Sequence, residues 1–349
     1  MTIAPFKAAA VQAEPAWLDV DAGVDKTLAL IAEAADNGAK LLAFPECWIP
    51  GYPHFLWLGP QAWGMQFVPP YHANSIVVGD AAFKRIAKAC GDNEINVMLG
   101  ASEREYGSCY MGQFAFSDRG DVLFTRRKLK PTHVERVLFG EGDGSDLHVQ
   151  DVEGIGRLGG LNCWEHLQPL SKYAMYSQGE QVHIASWPSF CVYRGGAYAL
   201  GEEVNMAATQ IYAVEGSNFA IAATQVTGEA GMNLFCENDE QRALLGGDGG
   251  GGSSRIYAPD GQIISNLLDH KEEGIVYADI DLGMIPLAKA AADPSGHYSR
   301  PDATQLLLDK RPRRAVEMVG DDANAHGAMS AAELQGNLDL QGNAEPTGV

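Results

Sequence analysis

Arg157-Leu-Gly-Gly-Leu-Asn-Cys163-Trp-Glu-His-Leu-Gln-Pro-Leu-Ser-Lys-Tyr-Ala-Met-Tyr-Ser-Gln178 runs from an apolar strand straight into an amphipathic helix. The strand is expected over 157–162 and the helix over 167–178, with Cys163 at the corner between them. At such a corner backbone N–H groups point outward and the helix dipole favours negative charge. A thiol held there is expected to have a lowered pKa and to act as a nucleophile. Taken alone, a cysteine is more often a small buried apolar residue. The reading of Cys163 therefore depends on whether other segments supply a base, an acid and a pocket.

Similar units recur on both sides of it. Strand-like runs are expected at 6–12, 40–44, 96–101, 113–117, 182–186, 219–225, 254–257 and 275–280, and helical patterns at 21–36, 81–90 and 202–215. Strands alternating with helices define an α/β layered protein. Asp118-Arg-Gly-Asp121 marks a hairpin turn, and Pro259-Asp-Gly261 a second one that closes the other half. Two halves of like pattern imply two sheets face to face with helices outside, a four-layer α-β-β-α sandwich.

Composition narrows the partners. The chain has 349 residues, with 46% hydrophobic and 20% charged, a globular balance. A net charge of −20 argues against nucleic acid, whose phosphates need clustered Lys and Arg. No apolar run approaches the roughly 20 residues of a membrane span, and no cleavable signal pattern opens the chain. The six cysteines form no zinc-spaced cluster, so no metal is expected, and free thiols point to the reducing cytoplasm. Gly246–Gly252 holds six glycines but lacks the lysine and the strand–helix setting of a phosphate loop; a flexible surface loop is expected. The globular domain is expected over 1–310. Beyond it, 311–349 is poor in large apolar residues and reads as a flexible tail or an oligomer contact.

A thiol hydrolase needs a base and an electrostatic stabiliser beside its nucleophile. Glu46, in Leu-Ala-Phe-Pro-Glu-Cys-Trp, leaves an apolar strand among residues that would desolvate a carboxylate and raise its pKa. The bland alternative is a solvated loop glutamate. Lys128, in Arg-Arg-Lys-Leu-Lys-Pro-Thr-His-Val-Glu-Arg, follows a hairpin strand; a lysine near a carboxylate can stabilise developing negative charge, although a basic run is commonly a solvated face. Glu135 is placed to fix Lys128 or assist Glu46. Trp48, Tyr52, Phe55, Trp57, Trp63 and Phe67 follow Glu46, and Trp187-Pro188 follows a later strand. They could line an apolar pocket or pack as core or subunit interface.

Four blocks in order carry a resemblance to the nitrilase branch of the nitrilase superfamily, the carbon–nitrogen hydrolases. They are Phe-Pro-Glu46; Arg126 to Arg136, with Lys128 and Glu135; Leu161-Asn-Cys-Trp-Glu-His-Leu-Gln-Pro-Leu170; and Asp293-Pro-Ser-Gly-His-Tyr-Ser-Arg-Pro-Asp302. The resemblance runs from about Lys7 to Pro301. It implies a Glu46–Lys128–Cys163 triad with Glu135 as a fourth member, and no cofactor. It also implies hydrolysis of aromatic, arylaliphatic or aliphatic nitriles to the acid and ammonia. Tyr52, Trp164, Trp187 and Pro188 would meet the substrate, Trp164 through its backbone N–H. A cyanide hydratase or dihydratase, or an amidase or carbamoylase, is the alternative on the same triad. The resemblance further implies a homo-oligomer, dimers stacking into spirals with the tail contributing. Amphipathic helices after Cys163 and Arg194 could pair across a two-fold axis. His297 and Arg300 are expected to hold the C-terminal segment.

Overall fold

Phe6, Ala8 and Ala10 point to one side of the first strand, Ala9, Val11 and Ala13 to the other, and both sides are buried. A strand apolar on both faces belongs inside a layered α/β structure. The computed structural model describes residues 3–192, 194 and 196–313. Its strands are β1 (Phe6–Ala13), β2 (Ala39–Ala43), β3 (Asn96–Glu105), β4 (Ser108–Phe116), β5 (Val122–Arg127), β6 (Val149–Val152), β7 (Gly156–Asn162), β8 (Val182–Trp187), β9 (Phe219–Gln225), β10 (Arg255–Tyr257) and β11 (Gly274–Ile280).

The strands follow the order β5-β4-β3-β2-β1-β9-β8-β7-β6, with β10 on β9 and β11 on β1. β1 meets β9 only through Gln12↔Thr224 and Ala13↔Gln225, and the array folds over at this corner into two sheets. Ala8, Ala10, Leu41 and Met98 from one sheet pack against Leu158, Val182, Ile184 and Ile221 from the other. Outside the first sheet, the helices Val20–Asp36 and Ala81–Asp92 bury Val24, Ile31, Phe83 and Ile86. Asp19 and Asp80 cap them by accepting from Ala22 N (3.0 Å) and Phe83 N (2.8 Å). Outside the second sheet, Pro169–Tyr176 and Glu202–Gly216 bury Met175, Tyr212 and Met206. The layers are thus helix, sheet, sheet, helix, as the pattern of elements implied. No helix among the described residues is long and apolar enough to cross a membrane.

The helix expected over 167–178 forms over Pro169–Tyr176, since Pro169 suits the first helical position, and a 3-10 turn, Cys163–Leu167, precedes it. The second hairpin differs from expectation. The turn at 258–262 forms, but its hairpin stops at a single bridge, Tyr257↔Ile263. β11 then crosses to pair with β1 over seven positions, which buries Val276, Ala278 and Ile280 between the sheets.

The glycine run is a surface loop only in its first part: Gly247 and Asp248 are exposed, whereas Gly249–Gly252 is buried. Gly250 exchanges backbone bonds with Thr227, Phe190 N donates to Gly251 O, and Gly252 N donates to His270 O. Gly251 has φ +85°, and a Cβ there would overlap Ser189 Oγ. These glycines allow backbones to close-pack, which composition alone does not reveal. Most of the expected tail, 314–349, lies outside the described residues. The segment before it packs on the body through Leu306 and Leu308.

Candidate active site

Three of the four candidates come off the ends of strands from both sheets, and the fourth, Glu135, lies in the loop after Lys128. Glu46 follows β2, held by Glu46 N donating to Trp187 O (3.2 Å) and by Gln225 Nε2 donating to Glu46 O (2.6 Å). Gly100 makes room, since a Cβ there would overlap Pro45 O. Lys128 follows β5. Glu135 sits in the 3-10 turn His133–Val137 and caps it, its Oε2 accepting from Thr132 N (2.6 Å). Cys163 follows β7 with φ +48°, a left-handed backbone uncommon for a side-chain-bearing residue.

The structure brings all four together. Lys128 Nζ donates to Glu46 Oε1 (3.0 Å) and Glu135 Oε2 (2.8 Å), and all three side chains are inaccessible or nearly so. Carboxylate oxygens of Glu46 and Glu135 and the Cys163 sulphur lie within 4.8 Å of one another. Acids and a thiol so grouped could also ligate a metal; here the Lys128 ammonium bridges the two carboxylates. Tyr52 Oη donates to the other Glu135 oxygen (2.8 Å). Glu46 Oε2 is buried with no hydrogen-bond partner, which leaves one free acceptor in the cluster.

Two carboxylates share one ammonium, so the buried cluster favours an extra proton. Burial pushes Glu46 up to about 8, Lys128 works against this, and Glu135 adds to it. Burial opposes the Lys128 charge, but Glu135 and Glu46 overcome it and hold the ammonium well above the usual lysine range. The thiol departs from expectation. Burial, with the Glu46 charge beside it, pushes Cys163 well above the ordinary range; Lys128 and a bond from the Trp164 N–H only partly offset this. Cys163 therefore rests as a neutral thiol, and it could attack only after a base had taken its proton.

The residues after Cys163 were legible as a motif but not as a scaffold. Glu165 caps the 3-10 turn by accepting from Asn162 N (2.7 Å) and accepts from Leu129 N (2.9 Å), one residue past Lys128. Arg126 Nη2 donates to both Glu165 oxygens (2.7 and 3.0 Å), and the pair is buried. Burial resists the Glu165 charge, yet Arg126 holds its carboxyl below the usual range. This pair ties the Cys163 corner to the Lys128 strand end. Sequence reading missed it because the two residues lie 39 apart and each resembles a surface charge.

A cleft of about 420 Å³, counting its open mouth, descends to Cys163 and Glu135. Tyr52, Trp164, Trp187 and Pro188 all line it. Trp57, Phe190 and Leu200 line it too, and of these only Trp57 lay in the aromatic run after Glu46. The rest of that run divides. Trp48 is core beneath the first helical layer, while Phe55, Trp63 and Phe67 pack with Tyr71 and Phe235. His297 and Arg300 are exposed and outside the cleft.

An α-β-β-α sandwich with a buried Glu–Lys–Cys cluster at its strand ends places the protein in the nitrilase-superfamily fold class. A carbon–nitrogen hydrolase from Helicobacter pylori superposes with a TM-score of 0.66 at 17% identity, covering 86% of this chain and 97% of that one. The NitFhit protein of C. elegans gives 0.68 at 16% identity, covering 90% and 70%. These show the fold. Residues 7–290 match the carbon-nitrogen hydrolase family, and the chain belongs to it, in its nitrilase branch. It is 50% identical to a nitrilase of Pseudomonas syringae pv. syringae over 91% of this chain and 94% of that one. It is 51% identical to an aliphatic nitrilase of Rhodococcus rhodochrous (97% and 93%), and 50% identical to an arylacetone-specific nitrilase of Alcaligenes faecalis (90% and 87%).

Proposed function

We propose that this protein hydrolyses aromatic, arylaliphatic or aliphatic nitriles to the carboxylic acid and ammonia. Cys163 is the nucleophile, Glu46 the general base, and Lys128 the electrostatic stabiliser, with Glu135 holding Lys128. The carrying observation is the bridging of Glu46 and Glu135 by Lys128 beside a neutral Cys163 thiol at the floor of an aromatic cleft. The curated relatives' names, aliphatic and arylacetone-specific nitrilase among them, support the substrate class.

Glu46 takes the thiol proton as sulphur attacks the nitrile carbon. The C≡N bond becomes C=N, and its nitrogen receives the proton beside Lys128, giving a thioimidate. Water adds to that carbon with Glu46 as base. The C–N bond of the tetrahedral adduct breaks, ammonia leaves with the returned proton, and a thioester remains. A second water cleaves C–S, frees the acid and restores the thiol. Expulsion of the thiol instead of ammonia gives an amide.

The same reading takes 1–310 as the catalytic domain and 311–349 as a tail that is flexible or joins the assembly, and places the enzyme in the cytoplasm as a homo-oligomer. Exposed Leu170, Ile211 and Val214, on the two helices covering the second sheet, support self-association.

The test is ammonia release by the purified protein across nitriles, the matching amides and cyanide, with Cys163→Ala alongside. Nitrile turnover lost in that variant is expected. Nitrile turnover kept in it, or wild-type turnover of amide or cyanide alone, would overturn the reading.

A further inference from the structure

Behind Cys163, away from the cleft, a chain of buried polar groups runs through the layer between the second sheet and its helices. His166 Nδ1 lies 2.6 Å from Cys163 O, His166 Nε2 lies 2.9 Å from His183 Nε2, and His183 Nδ1 lies 2.8 Å from Glu180 Oε1. Tyr212 Oη and Asn218 Nδ2 both donate to the remaining Glu180 oxygen (2.6 and 3.1 Å). His166, His183, Glu180 and Tyr212 are all buried. Trp187 stacks on the His166 ring and Tyr212 on the His183 ring.

Counting protons orders this chain. Each of its three hydrogen bonds needs one proton, and the first must sit on His166 Nδ1, because a carbonyl only accepts. Two neutral imidazoles supply two protons, so the third comes from Glu180 or from a doubly protonated histidine. Arg126 repels charge on His183, while Glu165, which neutralises Arg126, favours it. Those two groups are already paired with each other. A neutral chain leaves no unpaired charge in the apolar layer, and an imidazolium facing a carboxylate would require desolvating two.

We propose that Glu180 is kept as the neutral acid. It heads a proton-ordered relay of hydrogen bonds, Glu180 Oε1–H to His183 Nδ1, His183 Nε2–H to His166 Nε2, and His166 Nδ1–H to Cys163 O. The relay's function is to hold the nucleophile's carbonyl and its left-handed backbone in place. These three side chains are positioning residues; none touches the reacting atoms. Burial pushes Glu180 up to about 8 despite the bonds from Tyr212 and Asn218, and burial holds both histidines well below the ordinary range. The reach to Cys163 rests on its reading as the nucleophile, whereas the proton order does not.

The test compares wild type with Glu180→Gln and Glu180→Ala in the full chain. Glutamine keeps a donor toward His183 and an acceptor toward Tyr212 and Asn218. Expected are a kcat and a Cys163 alkylation rate by iodoacetamide near wild type in Glu180→Gln. In Glu180→Ala both should fall by about tenfold to a hundredfold with KM little changed, the scale of a misplaced reacting group. Infrared difference spectra should show a protonated-acid carbonyl band in wild type that is absent from Glu180→Gln. Nitrogen NMR should show His183 as the Nε2–H tautomer and His166 as the Nδ1–H tautomer. Those spectra stand even if Cys163 proves not to be the nucleophile, and they need no Glu180→Ala protein if that variant fails to fold. A doubly protonated His183, no acid band, or Glu180→Gln as impaired as Glu180→Ala would overturn the proposal.

Discussion

Arg126 Nη2 grips both oxygens of Glu165 at 2.7 and 3.0 Å, and this buried pair joins the strand end that presents Lys128 to the turn that presents Cys163. Glu165 also accepts from the backbone N–H groups of Asn162 and Leu129, so one carboxylate sets both segments. Removing one charge of a buried pair leaves the other uncompensated, at a cost of about 3–5 kcal/mol. Arg126→Ala is expected to lower stability by that order in equilibrium urea unfolding. Arg126→Met with Glu165→Leu should recover much of the loss, yet stay inactive because Asn162 N and Leu129 N lose their acceptor. An active double variant would show that the pair does not position the site.

Glu46, pushed up to about 8, must lose its proton to serve as base. kcat/KM for a nitrile should therefore rise with pH through about that value, the limb belonging to the coupled cluster and not to one group. Glu135 is one of the groups that raise Glu46. Glu135→Gln should move the limb to lower pH while lowering kcat, since Lys128 keeps an acceptor there but loses the second negative charge that holds it. Glu46→Gln should be inactive across the range. A limb that stays put in Glu135→Gln, measured by initial rates against pH, would argue against Glu46 as base.

The sequence made the strand ends visible but not what lies between them. The short, near-continuous apolar runs of β1 and of the strand leading into Cys163 are legible locally, so the layers and the three strand-end candidates could be placed. β11 pairing with β1 could not, because Phe6 and Ile280 meet across nearly the whole chain and no local signal sets that register. The Cys163 thiol was misjudged for a related reason. The corner argument counts nearby N–H groups, whereas the shift is set by burial and by Glu46, which arrives from the other sheet. The second half of the glycine run was misjudged because flexibility is an attribute of an isolated glycine, and Gly250, Gly251 and Gly252 are pinned by Thr227, Phe190 and His270.

That correction has a direct consequence. Gly251 holds φ +85° against the backbone of Phe190 and Cys191, and Phe190 and Ser189 form one wall of the cleft. Gly251→Ala meets both a left-handed backbone, at about 1–2 kcal/mol, and the Ser189 side chain. It should raise KM for bulky nitriles by shifting that wall and lower the melting temperature. Gly247→Ala, also at positive φ but with open space around its Cβ, should lower stability less and leave KM alone. Equal effects from the two would mean the loop does not buttress the cleft.

Glu180 gives a stability test separate from catalysis. Burial pushes its carboxyl up to about 8 in the folded chain, from an ordinary value of 4.5. Between these values the folded state binds more protons than the unfolded one, so stability is full below the lower value and is lost as pH rises toward the upper. The slope for one such group is about 1.4 kcal/mol per pH unit. Glutamine cannot ionise, so Glu180→Gln removes that slope while keeping the bonds to His183, Tyr212 and Asn218. Glu46 adds a similar slope, but it is present in both proteins and cancels in the comparison. Urea midpoints taken at pH 5 and pH 8 should therefore diverge, with Glu180→Gln gaining on wild type at the higher pH. Curves that stay parallel would mean that Glu180 is already ionised at pH 5, and the neutral relay behind Cys163 would fall with that result.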